Sequence, residues 1–337
     1  MPFQVTIKPS GHQFQMEAGE TLLESAAREG FTLRHSCRNG ACGSCKGKIL
    51  EGQVDYGQYQ ANALSESEKQ AGMALFCTAT PLSDVMIECK EVGAARDIPI
   101  KTMPCRVQTM LRLAPDVMEL HLKLPANERL EFLAGQYIDI LLKDGKRRSF
   151  SLANAPNDDA FLQLHVRHVP GGLFTDTVFG QMEEKTILRF DGPHGSFYLR
   201  DDSDKPILFM AGGTGFAPIK SMLEQAFQTH SKRQMVLYWG AHSLKDLYMG
   251  QLAGQWQETH PNFTFIPVLS EPQPEDHWPG RTGLVHQAIL DDFDTLEGFQ
   301  VYACGAPQMV EAGRSAFLAR GLPEEAFFAD AFTFSPG

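Results

Sequence analysis

The sequence contains the stretch Cys37-Arg-Asn-Gly-Ala-Cys42-Gly-Ser-Cys45, and a fourth cysteine, Cys77, follows after 31 intervening residues. Spacings of four and two residues between three cysteines, with a distant fourth, are typical of the plant-type 2Fe–2S cluster. Such a cluster needs four thiolates around two irons. The two glycines of the stretch let its backbone turn N–H groups toward the sulfurs. The spacing therefore predicts a 2Fe–2S site with Cys37, Cys42, Cys45 and Cys77 as its ligands.

Zinc binding is the main alternative for these cysteines. A structural zinc site usually takes its ligands as two pairs of residues that are close in sequence, whereas this sequence offers a triplet and a distant single cysteine. Disulfides are disfavoured, because crowding of three of the seven cysteines into nine residues indicates metal ligation in a reducing compartment. Two further cysteines, Cys89 and Cys105, are predicted to be small core residues.

The composition limits the classes of protein to which the chain can belong. Its 337 residues are more than one hydrophobic core usually organises, which predicts two or three domains. The formal net charge of −11 disfavours binding to nucleic acid or to an anionic membrane surface, since both require a basic face. No signal-peptide pattern opens the sequence, and apolar runs such as 207–211 are strand-sized. We therefore expect a cytoplasmic protein without a membrane span.

Changes in pattern divide the chain into three predicted domains and a linker. Residues 1–92 alternate short apolar stretches with Gly-rich loops around the cysteines, and residues 93–103 lack periodicity, as in a linker. Residues 104–202 contain short strands punctuated by Gly and Pro, as in a small antiparallel barrel. In residues 203–337 strands alternate with helices, which predicts a doubly wound, mostly parallel sheet.

The same patterns predict individual elements. Segment 21–29 is predicted to form a helix with Thr21 as its N-cap and Gly30 as its stop. Strands are predicted at 5–7 and 13–16, which form a hairpin, and at 47–50, 85–89, 106–113, 117–123, 137–142, 148–153, 161–167, 206–211, 234–240, 263–269 and 300–303. Two helices are predicted in the last domain, at 218–230 and 308–320.

A cation, a ring and a hydroxyl follow one another in the barrel segment Arg147-Arg148-Ser149-Phe150-Ser151. Arg148 can grip a pyrophosphate with two hydrogen bonds, Phe150 can stack on an isoalloxazine face, and the Ser151 hydroxyl can bond the flavin N5 edge. Taken alone, such a segment is more often an ordinary half-buried strand.

Downstream, Gly171-Gly172-Leu-Phe-Thr175 precedes a predicted helix at 176–182. Glycines, a hydroxyl and a helix N-terminus form an anion site that suits a diphosphate. The alternative is a simple glycine turn in which Thr175 is the N-cap of the helix.

The strongest motif of the last domain is Ala211-Gly-Gly213-Thr-Gly215-Phe-Ala-Pro218, which follows an apolar strand and opens a helix. The glycines let the backbone approach a dinucleotide phosphate, and the helix N-terminus supplies N–H groups. Its glycine spacing differs from the Rossmann fingerprint. A second strand end carries Cys304 and Gly305, and two such strand ends define a ligand crevice in an open α/β sheet.

These motifs, in this order, resemble the ferredoxin–NADP reductase superfamily, in particular its members with an amino-terminal plant-type ferredoxin domain. The resemblance covers essentially the whole chain. The similar stretches are 35–46, 133–140, 136–156, 164–167, 211–222, 283–290, 301–305 and 327–332. It implies a multidomain fold: an α+β ferredoxin domain of β-grasp type, an antiparallel β-barrel that binds FAD, and an α/β doubly wound domain that binds NAD(P)H.

The resemblance also implies roles for single residues at the flavin. Arg148 would contact the FAD pyrophosphate, Phe150 would cover one flavin face, and Ser151 would sit near N5. Gly172 and Thr175 would lie at the diphosphate.

Further roles are implied around the nicotinamide. The residues implied to bind the dinucleotide are Gly213, Thr214, Gly215, Pro218, Cys304 and Gly305. Phe332 is implied beside the other flavin face. Ser151, Cys304 and Phe332 are the candidate catalytic residues, because they would flank the reacting rings.

Three departures from the family pattern stand out. The flavin-stacking position is commonly Tyr and is Phe150 here, so a ring remains but a hydrogen bond is lost. The spacing to Cys77 is slightly longer than the commonest value. The segment after strand 234–240 offers His242 and Lys245 but no Arg for a 2′-phosphate, which favours NADH over NADPH.

The resemblance implies an NAD(P)H-dependent oxidoreductase that passes electrons through FAD and the 2Fe–2S cluster to a partner protein. By this resemblance the acceptor would be either a pyridoxamine-dependent deoxysugar dehydrase or the oxygenase component of a Rieske or di-iron system. A hypothesis of another class is a redox sensor that uses the cluster as a switch. The nicotinamide motifs disfavour the sensor, since a sensor need not retain a hydride site.

Overall fold

A computed structural model describes residues 2–17, 19–89 and 98–333 of the chain. The chain forms two units. One comprises Met1–Pro99 with the short segment Gly195–Phe197, and the other comprises Ile100–His194 with Tyr198–Phe332. The second unit contains both the predicted barrel and the predicted α/β sheet.

The first unit is built on a mixed sheet of five strands in the order β2-β1-β7-β3-β5. The predicted hairpin forms, with Val5 opposite Phe14, and β1 also pairs in parallel with β7. The elements of this unit are β1 (Phe3–Lys8), β2 (Gln13–Met16), α1 (Leu22–Arg28), β3 (Lys46–Glu51), β4 (Val54–Asp55), α2 (Glu66–Gln70), β5 (Met73–Leu75), β6 (Thr80–Pro81) and β7 (Val85–Glu88). The α+β prediction for this unit is confirmed.

The first helix, α1, begins and ends where its capping residues predict. The Thr21 side chain accepts a hydrogen bond from the Glu24 backbone N–H, and the Glu24 carboxylate accepts one from the Thr21 backbone N–H. Gly30 follows the helix with φ +80°, a conformation that favours glycine. Leu22 and Ala26 are buried in the core of the unit, so the helix covers one face of the sheet.

The barrel is a six-stranded antiparallel sheet in the order β11-β10-β13-β8-β9-β12. A bridge between Leu152 and Leu164 joins its two ends, which closes the barrel as predicted. Its elements are β8 (Lys101–Ala114), β9 (Val117–Lys123), β10 (Tyr137–Leu141), β11 (Arg147–Ser151), β12 (Leu162–Arg167), α3 (Leu173–Gly180) and β13 (Ile187–His194).

Two parts of the barrel differ from the sequence prediction. Strand β8 begins at Lys101, inside the segment 93–103 predicted as a linker, because residues 101–106 pair with β13. Residues 93–97 of that segment lie outside the described residues. Strand β13 itself was not predicted, although Leu188 and Phe190 alternate with the polar Arg189 and Asp191 there, and Phe190 is fully buried.

The α/β sheet has six parallel strands in the order β17-β16-β15-β14-β18-β19. Its elements are β14 (Ile207–Gly212), α4 (Phe216–Gln228), β15 (Met235–Ala241), α5 (Gly250–Thr259), β16 (Phe263–Leu269), β17 (Arg281–Thr282), α6 (Val285–Asp292), β18 (Gln300–Gly305), α7 (Pro307–Ala319) and β19 (Phe327–Ala331). The doubly wound prediction is confirmed. The strand order reverses between β14 and β18, and a ligand crevice is expected outside the carboxyl ends of strands at such a point.

Candidate functional site

The four predicted cluster ligands lie in one part of the first unit. Cys37, Cys42 and Cys45 belong to the loop between α1 and β3, and Cys77 follows β5. The Sγ atoms of Cys45 and Cys77 are 3.2 Å apart, and the thiols of Cys37 and Cys42 also bond each other. The sulfurs thus form two close pairs. Two irons that each take two protein thiolates require this arrangement, so the donor set fits a 2Fe–2S cluster.

Backbone N–H groups of the loop are directed at these sulfurs. The bond with the Cys42 thiol, and after it the backbone N–H groups of Asn39 and Ala41, lower the pKa of Cys37 to about 7. The pKa of Cys77 is lowered by its bond with Cys45 and by the backbone N–H of Gly40. The backbone donors stabilise the thiolates of Cys37 and Cys77, the form that ligates iron, whereas the thiol–thiol bonds and burial raise the pKa of the partner thiols, Cys42 and Cys45.

Gly40 is required by the shape of this loop. Its φ is +74°, and a Cβ at this position would lie 2.7 Å from the backbone oxygen of Gln58. Both conditions exclude a larger residue, because a side chain would strain the backbone and collide with a neighbouring segment. The sequence-based reason for Gly40, a tight turn of the backbone, therefore holds in three dimensions.

The predicted flavin strand β11 carries its residues on two faces. In the pairing with β10, Arg148 lies opposite Ile140 and Phe150 lies opposite Ile138, so these two side chains share one face. Ser151 ends the strand on the other face and is almost fully buried. The Phe150 ring is 5.1 Å from the Phe174 ring, which places it against the first turn of α3, just after the glycine loop.

The glycine loop before α3 differs from its predicted geometry. The helix spans Leu173–Gly180 rather than 176–182, and its N-cap is Gly172, so the alternative in which Thr175 is the N-cap is wrong. The Thr175 hydroxyl instead donates to the Val169 oxygen at 2.9 Å and accepts from the Val169 N–H at 3.2 Å. A Cβ on Gly172 would lie 2.5 Å from that hydroxyl, so the turn is closed around it.

The glycine motif of residues 211–218, predicted to bind the dinucleotide, forms a 3₁₀ turn, Gly213–Gly215, between β14 and α4. A Cβ on Gly215 would lie 2.1 Å from the Cys304 backbone oxygen, so the turn touches the end of β18. Trp239 donates its indole N–H to the Gly213 oxygen at 3.0 Å. Thr214 is buried within the turn, and Pro218 occupies the first turn of α4, where no N–H is required.

The remaining predicted residues meet at the carboxyl end of the sheet. Cys304 pairs with Ala211 across β14 and β18, and Gly305 ends β18 with φ +146°. Phe332, just after β19, donates its backbone N–H to the Gly305 oxygen at 2.8 Å. Burial raises the pKa of the Cys304 thiol well above its ordinary value, so it is a neutral group at physiological pH.

Arg167 is a cation at this site that the sequence motifs did not single out. A Cβ on Gly213 would lie 3.2 Å from its guanidinium, which places Arg167 against the 3₁₀ turn. Its Nε lies 3.5 Å from the Asp116 carboxylate in an ion pair, whereas its buried Nη2 has no hydrogen-bond partner among the described residues. A half-buried guanidinium that keeps an unmatched donor beside a glycine turn fits the negative charge of a dinucleotide. Only its place at the end of a barrel strand could have indicated this from sequence.

The segment after β15 has more acidic side chains around it in the structure than its own sequence indicates. The Asp246 carboxylate accepts hydrogen bonds from the Ser243 N–H and hydroxyl, each at 2.9 Å. His242 faces Glu271, with 3.5 Å between the imidazole Nδ1 and the carboxylate. Lys245 is exposed to solvent. Two carboxylates therefore accompany the two basic side chains here.

Three domain families match separate parts of the chain. Residues 5–82 match the 2Fe-2S iron-sulfur cluster binding domain, residues 104–198 match the oxidoreductase FAD-binding domain, and residues 209–315 match the oxidoreductase NAD-binding domain. Each match covers most of one of the sheets described above.

Similarity to known proteins extends over the whole chain. The CDP-6-deoxy-L-threo-D-glycero-4-hexulose-3-dehydrase reductase of Yersinia pestis is 38% identical over 98% of this chain and 99% of that protein. The reductase component DmpP of phenol 2-monooxygenase from Pseudomonas sp. (strain CF600) is 35% identical over 98% of this chain and 95% of that protein. The crystal structure of Amycolatopsis cytochrome P450 reductase GcoB has a TM-score of 0.81 at 35% identity, over 98% of this chain and 99% of that chain.

The fold and the site define an iron–sulfur flavoprotein reductase, an oxidoreductase that uses NAD(P)H, FAD and a 2Fe–2S cluster for electron transfer. The chain belongs to the ferredoxin–NADP reductase family, among the members with an amino-terminal 2Fe–2S domain. No helix among the described residues is long and apolar enough to cross a membrane.

Proposed function

We propose that this reductase uses NADH and delivers electrons to a dehydrase that acts on a CDP-linked 6-deoxy-4-hexulose. The observation that carries the choice of acceptor is the 38% identity, over nearly the full length of both chains, to a reductase named for such a dehydrase. When bound, the flavin takes two electrons as a hydride from the nicotinamide, and the cluster passes them on one at a time.

The flavin-binding roles follow from the face shared by two residues of β11. Arg148 binds the pyrophosphate and Phe150 covers one flavin face, because both side chains leave the strand on the same side. Gly172 and Thr175 shape the turn at the diphosphate, and the hydroxyl of Thr175 holds this turn closed through Val169. Ser151 is assigned to the N5 edge from its place at the end of the strand.

The nicotinamide-binding roles follow from the meeting of two strand ends. Gly213, Thr214 and Gly215 bring the backbone to the dinucleotide phosphates, and the first turn of α4, with Pro218, supplies its N-terminal dipole. Cys304 and Gly305 flank the ring, and Phe332 lies on the other flavin face. The backbone bond from Phe332 to Gly305 supports this assignment, since it joins the two positions.

The preference for NADH follows from the charges beside β15. A 2′-phosphate carries close to two negative charges and needs a well-placed cation. Asp246 and Glu271 would repel it, while Lys245 is exposed and offers only a point charge. We expect kcat/KM for NADH to exceed that for NADPH by about tenfold, which corresponds to about 1.4 kcal/mol.

Steady-state rates with each nucleotide at low concentration test this preference. The variant Glu271→Gln should raise kcat/KM for NADPH and so lower the ratio of kcat/KM for NADH to that for NADPH. Glu258 is an exposed glutamate on α5, and Glu258→Gln should leave this ratio unchanged. A higher kcat/KM for NADPH in the unmodified protein would show that the charges after β15 do not disfavour the 2′-phosphate.

The acceptor is tested by reconstitution. The purified reductase should contain about one FAD, two irons and two labile sulfides per chain. With a CDP-6-deoxy-4-hexulose 3-dehydrase and its sugar substrate, catalytic amounts of the reductase should couple NADH oxidation to conversion of the sugar. Tightly bound zinc, or sugar conversion that is no faster with the reductase than without it, would contradict the proposal.

An oxygenase component is the second candidate acceptor. The 35% identity to the reductase component of a phenol monooxygenase, over nearly the whole of both chains, favours it. Coupling of NADH oxidation to phenol hydroxylation with the corresponding oxygenase, without coupling to the sugar dehydrase, would select this candidate. In both cases we propose a cytoplasmic location, since reducing conditions keep the cluster cysteines available as ligands.

A further inference from the structure

The helix that follows the nicotinamide turn is bonded to the segment that follows the flavin strand. We propose that Lys220, Ser221 and Glu224 of α4, together with residues 153–155, form a polar lock that sets the distance between the nicotinamide and the flavin. These three residues are positioning residues. Their role presupposes the flavin and nicotinamide sites proposed above.

Lys220 supplies the centre of the lock. Its ammonium donates to the Ala153 backbone oxygen at 3.0 Å and to the Gln163 side-chain oxygen at 3.2 Å, and it pairs with the Glu224 carboxylate at 2.7 Å. An ammonium has three donors, and all three are used. The residue is only 5% exposed, so these bonds lie away from water.

Ser221 and Glu224 add two further bonds to the same segment. The fully buried Ser221 hydroxyl donates to the Asn154 backbone oxygen at 2.6 Å. The Glu224 carboxylate accepts a hydrogen bond from the Ala155 backbone N–H. Side chains from little more than one turn of the helix therefore bond three successive backbone positions, 153, 154 and 155.

Both partners of the lock are connected directly to a cofactor-binding segment. Helix α4 begins at Phe216, immediately after the Gly213–Gly215 turn, and segment 153–155 begins two residues after Ser151. The Asn154 side chain accepts from the Gln163 N–H at 2.9 Å, which ties the segment to β12. A displacement of α4 along the barrel would consequently move the nicotinamide turn relative to the flavin strand.

The lock is polar, and this suits it to fixing the distance between the nicotinamide and the flavin. Lys220 is itself buried, and its neighbours along α4, Ile219, Met222 and Leu223, are fully buried; an apolar residue at this position would carry no desolvation penalty. Apolar contacts tolerate small slips, whereas directional hydrogen bonds to three consecutive residues hold one register. Hydride transfer requires the reacting atoms about 3–3.5 Å apart, so one register is needed.

Stopped-flow reduction of the bound flavin by NADH tests the lock in the full-length holoenzyme. Ser221→Ala and Lys220→Met should lower the limiting rate by about tenfold or more, while the Kd for NADH changes less than threefold. Ser221→Thr, which retains the hydroxyl, should recover most of the rate. Lys232→Met, an exposed lysine on the same fold, is the matched control and should be unaffected.

Two readouts separate positioning from a general loss of structure. With 4,4-dideuterated NADH, the isotope effect on flavin reduction should stay at or above that of the unmodified protein, because hydride transfer itself is slowed. In the full-length chain with and without FAD, Ser221→Ala should raise amide hydrogen exchange in residues 153–158. A variant that merely unfolds would lose reducible flavin rather than rate.

Several outcomes would overturn this assignment. If NADH reduces the flavin of the unmodified protein and Ser221→Ala and Lys220→Met reduce it at the same rate, the lock does not set the distance, although the nucleotide proposal stands. Unchanged amide hydrogen exchange in residues 153–158 of Ser221→Ala would likewise show that the lock does not hold this segment. If neither nucleotide reduces the unmodified flavoprotein, the proposed nucleotide site is wrong and the lock has no such role.

Discussion

Replacing Gly215 with alanine is expected to impair hydride transfer without unfolding the protein. The added Cβ would lie 2.1 Å from the Cys304 backbone oxygen and 2.8 Å from the Gly305 nitrogen. Both atoms belong to the end of β18, so no flexible side chain can move aside. The turn Gly213–Gly215 or the strand end must be displaced instead. Since φ at Gly215 is −60°, alanine adds no backbone strain of its own.

The size of the effect follows from this overlap. Real Cβ contacts essentially never fall below 3.0 Å, so the two segments must separate by about 1 Å. A misplacement of about 1 Å can cost on the order of 100-fold in rate when reacting atoms must be nearly in contact. The loss should fall on flavin reduction by NADH, because both segments are assigned to the nicotinamide dinucleotide.

The assay is stopped-flow flavin reduction together with the visible spectrum of the purified variant. The spectrum should show normal FAD and cluster content, since the residues proposed to bind FAD and the cluster belong neither to the Gly213–Gly215 turn nor to the end of β18. Gly254→Ala is the matched control: Gly254 lies within α5 with no atom within 4 Å of an added Cβ, so it should retain its rate and gain about 0.5–1 kcal/mol in stability. Equal reduction rates in Gly215→Ala and Gly254→Ala would refute the reasoning.

Three further predictions concern the cluster and a buried histidine. Cys42→Ser should abolish cytochrome c reduction but leave ferricyanide reduction, because the residues proposed to bind the flavin and the nicotinamide lie in the other unit; equal loss of both activities would contradict this separation. Gly40→Ala should lower the iron content, because its Cβ would meet the Gln58 oxygen at 2.7 Å, whereas Gly30→Ala, also at positive φ but uncrowded, should retain its iron. Burial lowers the pKa of His165 to about 3, so the unfolded state binds a proton first and the free energy of unfolding should fall as pH drops from 6.5 toward 3. Denaturant titrations at several pH values should show a weaker slope for His165→Gln, and an unchanged slope would assign the dependence to other groups.

Much of the fold could be predicted because its determinants are local. The helix α1 is set by Thr21, Glu24 and Gly30, which cap it within a few residues of its ends. Three of the four cysteines likewise lie within one loop, and the glycine turn after β14 follows an apolar strand. Strand β13 was missed, because a bulged barrel strand that contains Gly192 and Pro193 has a pattern resembling that of a turn.

The sequence by itself determined the candidate chemistry of this protein: the candidate cluster ligands, the glycine turns and the order of the three folds, which rest mostly on short-range patterns. The tertiary structure alone decided which of these groups meet. It brings Gly215 against Cys304 across 89 positions of chain, and it bonds Lys220 to Ala153 across 67. It also shows that Thr175 closes a turn instead of capping a helix. Such contacts arise from the packing of β14 beside β18 and of α4 on the barrel, and packing between distant segments leaves no periodicity in the sequence from which it could be predicted.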